Sequence, residues 1–112
     1  KGGIISPIVE KEFIKEIADV LDIEVVQKRV AGYHQVGAVM EANNLGGVIH
    51  PETDEEDIKN FSNVLGVNIE PATINGGVPF VSSGILANSN AVVVGNLTNG
   101  PEIMMLTRAF TN

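Results

Sequence analysis

The chain has 112 residues, a formal net charge of −7 and no cysteine. That length allows one domain at most and suffices to bury a core, which at 44% hydrophobic but only 4% aromatic residues must be aliphatic. The acidity argues against broad electrostatic binding to nucleic acid, sequence-specific or not; the missing cysteines exclude disulfides, thiolate zinc sites and cysteine nucleophiles and suit a reducing cytoplasm; and no apolar run reaches the roughly 18–20 residues of a membrane helix.

Taken in chain order, residues 1–35 predict a short strand at Gly3–Ser6 and a helix with Ile14, Ile17 and Leu21 on one face. A second strand follows at Ile23–Val26. Residues 36–80 open with a strand at Val36–Ala42, turn at Asn43-Asn44-Leu45 and continue as a strand at Gly47–His50. Thr53 and Glu56 have the spacing of a capping box, and the helix beyond them carries Ile58, Phe61 and Leu65. Val67–Glu70, leading on to Ala72–Ile74, closes this segment as a strand. Residues 81–112 repeat the opening: a strand at Val81–Ala87, a turn at Asn88-Ser89-Asn90 and a strand at Ala91–Gly95. Pro101 suits the first turn of a helix with Ile103, Leu106 and Phe110 on its inner face.

These segments align with one another. At an offset of 45 residues Val36 falls on Val81, Ala42 on Ala87, Asn43 on Asn88, Val48 on Val93, Thr53 on Thr98 and Ile58 on Ile103. At an offset of 44, Gly2-Gly3-Ile4-Ile5-Ser6-Pro7 falls on Gly46-Gly47-Val48-Ile49-His50-Pro51. The difference of one residue places an insertion near Gly76-Gly77. The expected fold is therefore α+β, built on a ββαβ unit. Residues 36–80 form a complete unit, residues 1–35 lack the first strand, and residues 81–112 lack the last. One such unit cannot bury its own apolar face, so neighbours must stack. Open sheet edges at both ends predict edge-strand self-association or pairing with another chain.

No constellation of catalytic residues emerges. His50 ends a strand where the other units have Ser6 and Gly95, which favours a structural or surface role, and His34 reads as a solvent-facing loop residue. The carboxylates Glu52, Asp54, Glu55, Glu56 and Asp57 run together around a helix start, where they complement the macrodipole. Ser82 and Ser83 lack an elbow motif and a base, and read as structural. Gly2-Gly3 and Gly46-Gly47 recur at the repeat offset and point to tight turns with positive φ rather than a phosphate loop. No cofactor or metal is expected. Asparagine at the hairpin tips is first of all turn chemistry. In a stack of units, however, Asn43, Asn44, Asn88, Ser89 and Asn90 would gather on one face, as candidates for a docking surface.

Val36-Gly37, then Glu41-Ala42-Asn43-Asn44-Leu45-Gly46-Gly47-Val48-Ile49-His50-Pro51, then the acidic helix to Val64-Leu65-Gly66-Val67, resembles the archaeal and eukaryotic translation initiation factor six family. So do Val81-Ser82-Ser83-Gly84-Ile85-Leu86-Ala87-Asn88-Ser89 and Gly100-Pro101-Glu102, the latter leaning to the archaeal branch. Ile17-Ala18-Asp19-Val20-Leu21 with Glu24-Val25 look like the helix and strand of a preceding repeat. The resemblance spans essentially the whole chain and corresponds to the C-terminal half of the family's length. It implies a pentein-type β/α-propeller, with about two and a half of five ββαβ repeats present. It also implies a non-enzymatic, cytoplasmic factor that binds the large ribosomal subunit at its intersubunit face, by a ribosomal protein and near the sarcin–ricin loop. Bound there, such a factor blocks joining of the small subunit. A role in large-subunit maturation, with release by a GTPase, comes with the resemblance. Pentein enzymes of the amidinotransferase and deiminase kind use a catalytic cysteine, which this chain lacks. A self-assembling repeat fragment without ribosome binding is the alternative reading.

Overall fold

The computed structural model describes residues 2–110. The outermost bounds of the first and third sequence units, at Lys1 and at Thr111-Asn112, lie outside the described residues. In chain order the elements are β1 (Gly2–Ile5), α1 (Lys11–Leu21), β2 (Glu24–Gln27), a single helical turn α2 (Val36–Val39), β3 (Met40–Ala42), β4 (Gly47–Ile49), α3 (Glu55–Leu65) and β5 (Ile69–Pro71). A 3₁₀ turn at Val81–Gly84, β6 (Ile85–Ala87), β7 (Val92–Val94) and α4 (Gly100–Phe110) complete the chain.

The strands form three small sheets: β1 with β2, β3-β4-β5, and β6 with β7. β3–β4 and β6–β7 are antiparallel hairpins, whereas β1–β2 and β4–β5 are parallel and joined across a helix. Parallel pairing requires such a crossover, and the sequence supplies it as an 11-residue helix each time. The architecture is α+β, with sheets and helices alternating. β4 is buried on both faces, and its alternating side chains serve two cores. Val48 meets Leu106, Ala109 and Phe110 of α4, while Ile49 meets Phe61 of α3 with Val30 and Val39. The molecule measures 43 × 27 × 23 Å.

The expected strands Val36–Ala42 and Val81–Ala87 each begin instead with a helical turn. Val36 and Val39 are both buried, at a spacing of three that puts them on one side of a helical turn but on opposite faces of a strand. The helix faces also differ from their expected stripes. In α4 the buried face is Glu102, Leu106, Ala109 and Phe110, and Ile103 is 47% exposed. In α3 Val64 joins Phe61 in the core, while α1 buries none of its residues and leaves Leu21 60% exposed. The capping box Thr53/Glu56 does not form. Asp54, not Thr53, is the residue before α3 and makes no side-chain cap, while the Thr53 hydroxyl donates to the His50 carbonyl at 2.8 Å.

The paired glycines play a different part from the one expected. Gly3, Gly46 and Gly47 are not left-handed; among the described glycines the positive φ values fall at Gly32, Gly66, Gly76 and Gly77. Gly2 and Gly46 are bare because a helix passes over them. A Cβ on Gly2 would lie 2.0 Å from the Val64 carbonyl oxygen of α3, and one on Gly46 would lie 1.7 Å from the Ala109 carbonyl oxygen of α4. Val64 and Ala109 are the tenth residues of their helices, so one joint occurs twice, at the offsets seen in the sequence. At the start of β7 the corresponding residue is Ala91, whose N–H and carbonyl make the same turn contacts to Asn88 that Gly46 makes to Asn43. The one-residue insertion is visible as well. Val30 bridges Tyr33 around Ala31-Gly32, whereas Ile74 bridges Val78 around Asn75-Gly76-Gly77.

Candidate docking face

The five candidate residues sit at two adjacent hairpin tips, β3–β4 and β6–β7. In each tip the asparagine that ends the first strand folds its side chain back on the turn. Asn43 Oδ1 accepts from the backbone N–H groups of Leu45 (2.8 Å) and Gly46 (3.2 Å). Asn88 Oδ1 accepts from Asn90 (2.8 Å) and Ala91 (2.9 Å). These Asx turns hold the chain without left-handed residues at either tip. The Asn43 side-chain NH2 group donates to the Asn88 carbonyl at 2.9 Å. The tips are thereby locked side by side. Asn44, Asn88, Ser89 and Asn90 are exposed around this contact, and Asn43 is half-buried.

Beside them runs a groove of about 320 Å³ between β7 and α4. Asn88, Ser89 and Asn90 form its polar rim, and Val92, Leu106 and Phe110 contribute to its apolar floor. The combination of amides at the rim and apolar groups below suits a protein ligand that brings both main-chain polar groups and apolar side chains. Glu41 on β3 is the nearest carboxylate by sequence to the first tip, and burial pushes its carboxyl above the ordinary value.

Of the other polar residues singled out in the sequence, His50, Ser82, Ser83 and Asp57 make contacts that hold the fold. His50 is buried, accepts the Glu52 backbone N–H at Nδ1 (3.1 Å) and therefore carries its proton at Nε2. Its ring packs 5.3 Å from Tyr33 and 6.1 Å from Phe80. His34 is not solvent-facing as expected: it is half-buried, with Nδ1 enclosed and without a hydrogen-bond partner. The Ser82 hydroxyl donates to the Met40 carbonyl at 2.7 Å and that of Ser83 to the Phe80 carbonyl at 2.6 Å. Within the acidic run, Asp57 pairs with Lys28 and holds its ammonium above the ordinary value.

One polar centre was not singled out in the sequence. The buried carboxylate of Glu102 accepts from the Thr73 hydroxyl (2.6 Å) and from the backbone N–H groups of Gly76 (2.9 Å), Gly77 (2.9 Å) and Asn99 (3.0 Å). The Glu102 N–H in turn donates to Asn99 Oδ1 at 3.0 Å, a reciprocal box at the start of α4. Burial pushes this carboxyl up, but the four hydrogen bonds together outweigh it and hold the group down at about 2. Asn99-x-x-Glu102 carries the signature of such a box once asparagine is admitted as a cap.

Among the described residues no group of three or more metal-binding side chains occurs, and no helix is long and apolar enough to cross a membrane. Comparison with known families then decides the relationship. Residues 1–109 match the eIF-6 family. The chain belongs to the eIF-6 family. Relatives named translation initiation factor 6 include one from Cenarchaeum symbiosum (strain A), 66% identical over 110 residues, which are 98% of this chain and 50% of that protein. Another, from Nitrosopumilus maritimus (strain SCM1), is 62% identical over 112 residues, all of this chain and 51% of that protein. A third, from Pyrococcus abyssi (strain GE5 / Orsay), is 41% identical over 109 residues, 97% of this chain and 48% of that protein. The chain thus spans about half the length of the eIF-6-family relatives it matches.

Proposed function

We propose that this chain is part of a ribosome anti-association factor, which binds the large ribosomal subunit at its intersubunit face and keeps the small subunit from joining. The observation that carries this reading is the eIF-6 family match over residues 1–109, together with relatives named translation initiation factor 6 at 62–66% identity. The factor works by steric occupation, in the cytoplasm, and performs no catalysis. It takes part in maturation of the large subunit on the same surface, near the sarcin–ricin loop.

In this reading the chain is a partial pentein propeller of five ββαβ repeats. Its units are residues 1–35, 36–80 and 81–112. The glycine-to-helix joint that recurs at Gly2/Val64 and Gly46/Ala109 supports it. The docking face is the row of hairpin tips carrying Asn43, Asn44, Asn88, Ser89 and Asn90. Its polarity without charge supports contact with a ribosomal protein rather than with phosphate.

Co-sedimentation with purified large subunits, with a full-length family member as competitor, tests the proposal. Saturable, displaceable binding supports it. Absence of binding by a chain that runs as an oligomer overturns it in favour of a self-assembling fragment that pairs through its open strand edges.

A further inference from the structure

The chain contains two Asn-Gly dipeptides, Asn75-Gly76 and Asn99-Gly100, and both touch Glu102. In such a pair the glycine nitrogen, unhindered by a neighbouring side chain, can attack the asparagine side-chain carbonyl carbon. A bond forms from the Gly N to the Asn Cγ, and the Cγ–Nδ2 bond breaks. The amide proton leaves with ammonia, and a cyclic imide remains. Water then opens the imide at either carbonyl, leaving aspartate or, with one extra methylene in the backbone, isoaspartate. Water and the protein's own atoms suffice for the whole sequence.

The two sites are held differently. At Asn99-Gly100 the asparagine Oδ1 is tied by the Glu102 backbone N–H, while Gly100 opens α4, where first-turn N–H groups have no partner within the helix. At Asn75-Gly76 the nucleophile itself is held. The Gly76 N–H donates to Glu102 Oε1 at 2.9 Å, and the next N–H, that of Gly77, donates to Oε2 at 2.9 Å. Attack requires loss of the Gly76 proton. A carboxylate that already accepts this proton must be displaced first, and its charge opposes the amide anion that forms. The asparagine is also fixed, with φ at 50° and Oδ1 accepting the Leu97 N–H at 3.2 Å.

We propose that Asn75 is a latent deamidation and isoaspartate site, kept unreactive by the carboxylate of Glu102. Conversion there is disruptive. The Asn75 side chain lies so close over Gly95 that a Cβ on that glycine would fall 2.0 Å from Oδ1, leaving no room for a lengthened backbone. The product also sets a second carboxylate in a turn already bonded to Glu102. The turn then comes away from the start of α4, in one irreversible step.

The test is a time course of the folded chain at mildly alkaline pH, read by peptide mapping for the amide-to-acid mass change and by an isoaspartyl methyl-transfer assay. Glu102→Gln keeps the size and removes the charge. Glu102→Asp keeps the charge but withdraws it from Gly76. Both variants should react about tenfold faster at Asn75 than the parent chain. Asn99 is the internal control: the carboxylate accepts the N–H of Asn99 itself but not that of Gly100, the nucleophile there, so its rate should change far less than that of Asn75. Equal rates at Asn75 in parent and variants overturn the proposal. So does acceleration of both asparagines by the same factor in both variants, which reports loosening of the whole fold. A parent chain that reacts at Asn75 as fast as a free peptide of residues 71–80 overturns it too.

Discussion

The Asn43 side-chain amide donates to the backbone carbonyl of Asn88 at 2.9 Å, joining two hairpin tips whose equivalent residues lie 45 positions apart. Asn43 thus serves two hairpins, whereas the Asn88 side chain serves only its own turn. Asn43→Ala should therefore destabilise the fold by about 1–2 kcal/mol and Asn88→Ala by about 1 kcal/mol. The bond between the tips ends on a backbone carbonyl, so the two effects should nearly add. Urea denaturation of both single variants and the double variant measures this.

Gly46→Ala places a methyl group where the Ala109 carbonyl already sits, 1.7 Å from the ideal Cβ. The obstacle is backbone, so α4 or β4 must move, at a cost of about 1–3 kcal/mol. The reverse change, Ala91→Gly, should stay within about 1 kcal/mol of the parent, since it only loosens a turn. Thermal unfolding monitored by circular dichroism separates the two.

Glu102 makes a prediction in pH. Its folded-state value, about 2, lies below the ordinary 4.5. The stability it contributes is therefore fully present above the ordinary value and is lost as pH falls from about 4.5 towards 2. Urea midpoints measured across that window should decline in the parent. The decline should be shallower in Glu102→Gln, whose side chain does not titrate.

Asp22 caps the end of α1 with φ at 53°, in the same place that Gly66, with φ at 73°, caps α3. Both cap N–H groups donate to the carbonyl four residues back. A β-carbon in that conformation costs energy that glycine avoids. Asp22→Gly should raise stability by about 0.5 kcal/mol, seen as a higher urea midpoint at unchanged slope.

The period of the fold was legible in the sequence because apolar spacing and turn residues recur together. The offsets of 44 and 45 turn up in the structure as paired contacts, and the extra residue turns up as the longer turn at Asn75-Gly76-Gly77. Three things were not legible. The helical turns at Val36–Val39 and Val81–Gly84 look like strands, because short valine-containing runs satisfy both periods. The bareness of Gly46 is set by a carbonyl 63 residues away, which no local pattern records. His34 reads as a loop residue in solvent yet has one nitrogen enclosed, since burial in a connection depends on what packs over it. The candidate tips were visible as asparagine clusters, but their mutual hydrogen bond was not.

Ala91 gives the glycine joints a further meaning. A helix rests on β1 and on the β3-β4-β5 sheet only because Gly2 and Gly46 leave a hollow for one of its carbonyls. Ala91, just before β7, puts a methyl group where that hollow would be. A helix laid over β7 in the same way would have to stand off by the radius of that methyl, losing the close fit that α3 and α4 have. The third joint of the series is therefore looser than the first two by one carbon atom.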